Sequence, residues 1–207
     1  MVAKELSKQE NQRLFSLAPD SDRAHQILGE AALAAAKPEE AEEEFQKVLK
    51  INPNSVATLV QLGALKQSQF KFEEAIDYYK HADRVDPLDY EVSCGLGSCY
   101  TSRQEFPAAI EWFRKAVAVP PNSSAAEFAL GNAMFQNNNM EAAIPELLAA
   151  LKIDPSMSQG YFLLSRAHTK LGRNAEAQAV IQKLKELNRP EMHGESTPNG
   201  GPVSRPQ

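Results

Sequence analysis

Four histidines, two cysteines and 27 acidic residues are the groups through which this chain could do covalent or acid–base chemistry. Their spacing assembles no reaction centre. His25, His81, His168 and His193 are scattered, no serine stands in a strained strand-to-helix elbow, and no glycine-rich loop precedes a helix to cradle phosphate. Carboxylates are so frequent that pairs of them carry no information about proton transfer. Cys94 and Cys99 are expected on one helix, with Cα atoms about 8 to 9 Å apart, beyond the reach of about 7 Å that a disulfide allows. No histidine or third cysteine lies beside them at metal-ligand spacing, so they are read as packing residues in a reducing compartment. No metal or cofactor is expected. Asn122-Ser123-Ser124 matches a glycosylation sequon, which without an export signal is read as coincidence.

Recognition chemistry is what remains. Arg166 and Lys170 stand one helical turn apart and would meet an acidic group on a ligand, or else are solvated charges on a helix face. Phe128, Phe135 and Phe162 are either exposed anchors or packing between structural units, and the residues alone leave both open. Glu39, Glu40, Glu42, Glu43 and Glu44 begin a helix, where they complement the positive end of its dipole. A net charge of -5 argues against nucleic acid as a partner. No apolar run approaches the roughly 18 residues of a membrane helix, and Lys4, Glu5 and Lys8 interrupt any signal-like segment. A cytoplasmic location without membrane insertion is therefore expected.

These groups are positioned by a repeat. Leu28-Gly29, Leu62-Gly63, Leu96-Gly97 and Leu130-Gly131 fall 34 residues apart, each followed at a fixed distance by Ala41, Ala75, Ala109 and Ala143. Pro53, Pro87, Pro121 and Pro155 close the units in the same register. Such a period predicts stacked copies of one supersecondary unit. The units are residues 22–55, 56–89, 90–123, 124–157 and 158–191. Each holds two apolar-striped runs, exemplified by 57–67 and 73–85, joined by a short polar turn that forces the helices to be antiparallel. Asn54 or Ser55 and Asn122 or Ser123 supply N-caps. Glycine facing alanine, as in Gly63 with Ala75 and Gly97 with Ala109, is expected to let the paired helices cross closely. Phe45, Tyr79, Phe113 and Leu147 are expected to fill the wedge between helices, with Trp112 on the convex face or between units.

The succession Leu-Gly, an aromatic, Ala, Phe or Tyr, Ala and Pro resembles the tetratricopeptide repeat family over residues 22–191. The resemblance implies an all-α, right-handed solenoid of five helix-turn-helix repeats; Leu14, Phe15, Leu17 and Pro19 add a helix at residues 5–17, within a segment 1–21 read as a partial repeat or cap, and the proline-, glycine- and serine-rich residues from His193 are expected to be a disordered tail. The resemblance also implies a concave groove lined by the first helix of each repeat. Carried over residue by residue, that groove contains Val60, Ala64 and Gln67, then Cys94, Ser98 and Thr101, then Phe128, Asn132 and Phe135, and lastly Phe162, Arg166 and Lys170. Only Glu91 is charged in its middle three copies. The basic clamp by which some members hold a chaperone's terminal carboxylate is absent, since those places hold Gln26, Glu30, Ala57, Gln61 and Gly95.

Three departures stand out: Ser165 replaces the glycine of the fifth copy, Lys66 replaces an aromatic in the second, and Pro145 sits inside a second helix, tolerated near its first turn or kinking it. Gln178 and Lys185 replace apolar residues in the last copy, making it a cap for the array. The expected function is a non-catalytic scaffold that binds a peptide or helix of a partner protein and supports a larger assembly. The alternatives are the docking or regulatory segment of a longer enzyme, and self-assembly into homo-oligomers.

Overall fold

A computed structural model describes residues 15–119 and 123–188. Most of the expected first helix, Pro121, Asn122 and the tail from His193 lie outside these residues. Residues 15–17 are helical, and Leu17 is 82% exposed rather than covered.

The remaining elements are helices in close succession: α1 (Asp22–Ala34), α2 (Pro38–Ile51), α3 (Val56–Ser68), α4 (Phe72–Val85), α5 (Tyr90–Ser102), α6 (Phe106–Val117), α7 (Ser124–Gln136), α8 (Met140–Ile153), α9 (Ser158–Lys170) and α10 (Asn174–Leu187). Among the described residues there is no strand. The period recurs at the helix ends. Ser21, Ser55, Asp89 and Ser123 each cap an odd-numbered helix by accepting the backbone N–H three residues on. Met157, at the fifth such place, makes no side-chain cap. Between the helices of each pair, Ala36, Phe70, Gln104, Asn138 and Gly172 all adopt a left-handed backbone. That conformation returns the chain in a few residues and strains every side chain except the glycine.

Each helix packs on the next, and α3, α5, α7 and α9 also touch one another in sequence. Odd-numbered helices in mutual contact, with the even ones splayed outside, give the array an inner and an outer side. Ala41, Ala75, Ala109 and Ala143 are completely buried. The glycines add to one expectation. A Cβ on Gly29, Gly63, Gly97 or Gly131 would meet the side chain of Phe45, Tyr79, Phe113 or Leu147 at 2.5 to 2.9 Å, so the glycine makes room for the wedge residue four places beyond the alanine. Tyr79 needs two such gaps, because a Cβ on Gly95 would lie 2.4 Å from its ring. Each large ring thus fills the wedge where a facing backbone without a side chain yields it space.

The core is uneven along the array. Ala32, Ala41, Phe45 and Leu62 form a small cluster at the amino-terminal end. At the other end Phe113, Leu130, Met134, Phe135, Leu147, Leu151, Leu163 and Leu164 belong to one continuous cluster. Helix α8 runs through Pro145 without a break, and the proline stands beyond the first turn. Its neighbours Leu147, Ala150 and Leu151 are buried and hold the helix in register despite the lost hydrogen bond.

Candidate functional site

Two clefts open on the side lined by the odd-numbered helices. The central one, about 390 Å³, lies among α3, α5 and α7. Its walls are Val60, Ala64, Cys94, Ser98, Ala125 and Ala129, its floor is Tyr79 and Phe113, and its single charged lining residue is Glu91. Small side chains on three successive helices leave this volume unfilled. Tyr90, also in the wall, donates a hydrogen bond of 2.8 Å to Ser123 Oγ and ties α5 to the cap of α7. Burial raises the pKa of the Cys94 thiol and pushes that of Cys99 up to about 11, so neither is an activated nucleophile. Both cysteines are free.

The second cleft, about 440 Å³, lies at the carboxyl-terminal end. Phe128, Asn132 and Gln136 come from α7, Gln159, Phe162, Leu163 and Arg166 from α9, and Leu184 from α10. Phe162 is 55% exposed. The Arg166 guanidinium lies 5.2 Å from the centre of the Phe135 ring and 5.7 Å from that of Phe162, and Lys170 Nζ lies 4.7 Å from the Phe135 ring. These are cation–π distances. Among the described residues neither cation has a carboxylate partner, and no acidic residue lines the cleft.

Of the groove positions expected from the sequence, Val60, Ala64, Cys94 and Ser98 line the central cleft and Phe128, Asn132, Phe162 and Arg166 the terminal one. The other four line neither. Gln67 accepts a hydrogen bond from Tyr79 Oη at 3.3 Å. Thr101 donates to the carbonyl of Gly97 on its own helix, at 2.8 Å. Phe135 is 3% exposed and belongs to the core, which decides its two open readings in favour of packing and removes it from the expected groove lining; it serves as the platform beneath Arg166 and Lys170.

Leu184 and Asn188 went unrecognised because they belong to the last even-numbered helix and the residue after it. With no described helix packed beyond α10, this side of it is open to the cleft. Tyr79 and Phe113 were recognised as wedge residues but not as cleft floor, a role that follows only from the gaps at Gly63, Gly95 and Gly97.

The acidic run does more than complement a dipole. Glu42 and Glu74 flank the ammonium of Lys66 at 2.6 and 3.0 Å, and Lys66 is only 4% exposed. Burial opposes the charge on Lys66, but the two carboxylates outweigh it and raise its pKa above the ordinary lysine value. Glu44 contacts His25 at 2.6 Å and Lys47 at 2.6 Å. Partial burial would raise Glu44, yet these partners win and lower its pKa. The run therefore knits α2 to α1 and α3. Trp112 is half-buried against the cluster around Tyr79, with Lys115 Nζ 3.7 Å from the centre of its ring.

Among the described residues no three His, Cys, Asp or Glu side chains gather as metal ligands. Among the same residues no helix is long and apolar enough to cross a membrane.

Comparison with known proteins bears directly on this array. Tetratricopeptide repeat models match residues 22–55 and 62–125, and a model of anaphase-promoting complex, cyclosome, subunit 3 matches residues 102–184. No curated protein matches the chain by sequence. Among solved structures, MamA protein is 25% identical, with 80% of this chain and 91% of that one covered and a TM-score of 0.76. MamA of Desulfovibrio magneticus RS-1 is 19% identical over 84% and 98% of the two chains, with a TM-score of 0.78. YrrB, described as a TPR protein with an unusual peptide-binding site, is 14% identical over 88% and 94%, with a TM-score of 0.76. Repeat proteins of this kind are in general protein-interaction scaffolds without catalytic activity. With matching models over residues 22–55 and 62–184 and an all-α solenoid beneath them, this chain belongs to the tetratricopeptide repeat family.

Proposed function

We propose that the chain is a non-catalytic scaffold that holds a peptide or helix of a partner protein along its inner, concave side and thereby supports a multiprotein assembly. The observation that carries this reading is the pair of apolar clefts on the side shared by α3, α5, α7 and α9. Their walls leave apolar surface exposed, including Phe162, and a site of this kind gains most from burying a few large side chains of a ligand. Spaced clefts on parallel helices suit successive anchors of one elongated segment better than a compact small molecule.

Partner recovery by the intact protein and by a Phe128→Ala, Phe162→Ala double variant tests the reading. Both residues are at least partly exposed, so the fold should survive the change. Loss of specific partners from the variant is the expected result. Equal recovery of every partner would remove the groove from consideration.

A further inference from the structure

The two clefts differ in charge, and that difference deepens the reading just given, on which it rests. The central cleft holds small apolar side chains and Glu91. The terminal one is aromatic and faces Arg166, which is held over two phenylalanine rings, while Lys170 lies over one of them a turn further along α9. A guanidinium fixed by stacking loses little freedom when it pairs with a carboxylate, and its planar fork suits that group. No ion pair among the described residues satisfies either cation.

We propose that the terminal cleft is a subsite for an acid-flanked apolar anchor: a large aliphatic or aromatic side chain of a partner peptide seats against Phe128, Phe162 and Leu184, and a neighbouring Asp or Glu side chain pairs with Arg166. The rim argues for an internal segment rather than a chain end. Asn132, Gln136 and Gln159 each offer a donor and an acceptor, and Asn188, whose Oδ1 accepts from Ser158 at 3.3 Å, offers its amide donor, a mixture that matches a peptide backbone continuing past the anchor on both sides. A terminal carboxylate would call for donors alone. Lys170 extends the positive strip and favours a second acid one turn beyond the first. The opposite sign at Glu91 orients the ligand, with its acidic part over α9 and its neutral or basic part over α5.

The test selects random short peptides from a display library on the full-length protein and synthesises the winners with amidated carboxyl termini. Enrichment of peptides carrying Asp or Glu close to Leu, Ile or Phe is expected. Arg166→Gln should weaken their binding by about tenfold or more, the magnitude of a lost charge-assisted hydrogen bond. Arg166→Lys should lie between the two, and added salt should weaken the wild-type complex more than the Arg166→Gln complex. Basic or uncharged winners, a library without winners, or winners that need a free carboxyl terminus overturn the proposal.

Ala64→Trp, which fills the central cleft, separates this failure from that of the wider reading. Winners sensitive to Ala64→Trp and indifferent to Arg166→Gln sink the subsite and leave the groove standing; winners indifferent to both sink the two together. Competition by a synthetic peptide of residues 189–207 would assign the cleft to this chain's own end and overturn the partner assignment. A concentration-dependent rise in mass that Arg166→Gln abolishes would give the cleft to a second copy, with the same consequence.

Discussion

The junction of α2 with α3 and the junction of α8 with α9 join equivalent elements of the period, yet different forces hold them. At the first, Lys66 of α3 pairs with Glu42 of α2 and also with Glu74 of α4, around a core of few apolar residues, and α3 is tied to α1 as well, by Thr58 donating to Gln26 at 2.7 Å. At the second, Leu147, Leu151, Leu163, Leu164 and Ala167 interlock within one apolar cluster. Burying aliphatic side chains contributes net stability, whereas a buried ion pair spends most of its Coulomb gain on desolvation. Polar partners fix which surfaces meet. The comparison teaches that one sequence period can be joined for strength at one end and for register at the other, so the first helical pair should open before the last ones.

The largest expected effect contrasts the two junctions directly. Leu147 is fully buried, and Leu147→Ala should cost about 3 kcal/mol in chemical denaturation, through lost burial and the cavity left beside Gly131. Lys66→Met should cost no more than about 1 kcal/mol, because Glu42 and Glu74 are partly exposed and regain water once the ammonium is gone. Its pH signature is equally specific. The folded pKa of Lys66 is raised, so the pair's contribution is complete below the ordinary value of 10.5 and is lost as pH climbs through the folded value. Lys66→Met should abolish that alkaline loss. Equal costs for the two substitutions would break the comparison.

A gain of about 0.5 to 1 kcal/mol is expected from Phe70→Gly, read as a higher denaturation midpoint. Phe70 holds φ at 60° in the turn between α3 and α4, and its ring is 80% exposed. The equivalent place between α9 and α10 already carries Gly172 at φ 71°. What the substitution loses is an edge-to-face contact with Phe72, whose ring centre lies 6.2 Å away. Because the strained turn sits in the more weakly packed half, hydrogen exchange should slow more in α3 and α4 than in α9 and α10. Uniform slowing would show that the array opens as one unit.

Much of this architecture was legible in the sequence because the period repeats both composition and geometry: buried alanines, capping residues and turn positions recur in the same register. The direction of individual side chains was not. Phe135 and Phe162 are both aromatic groove candidates on the inner helices, yet the first is core and the second exposed, since only Phe135 meets Leu163, Leu164 and Ala167 in one cluster. Lys66 reads in isolation as a departure from the family pattern. Its partners lie 24 residues before it and eight after, and only folding brings the three together. Leu184 and Asn188 became cleft residues because the described array ends there, which no local pattern expresses.

The smallest effect concerns acid and tests whether the two halves respond with opposite sign. In the amino-terminal half Glu44 has a lowered folded pKa, so its contact with His25 and Lys47 contributes above the ordinary value of 4.5 and is lost as pH falls through the folded value. In the carboxyl-terminal half Glu127 has a raised one, first through burial and then through the like charge and hydrogen bond of Glu146. Its contribution is complete below 4.5 and is lost as pH rises through the folded value. Mild acid should therefore loosen α1 and α2 while leaving α7 and α8 unchanged or slightly firmer. Glu127→Gln keeps a hydrogen-bonding side chain and removes the repulsion, so near neutral pH it should add about a few tenths of a kcal/mol, the small size reflecting solvent screening. Urea midpoints of the two proteins should converge as pH is lowered, because protonated Glu127 already resembles glutamine; midpoints that diverge in acid would show that α7 and α8 are held by the charge on Glu127 rather than strained by it.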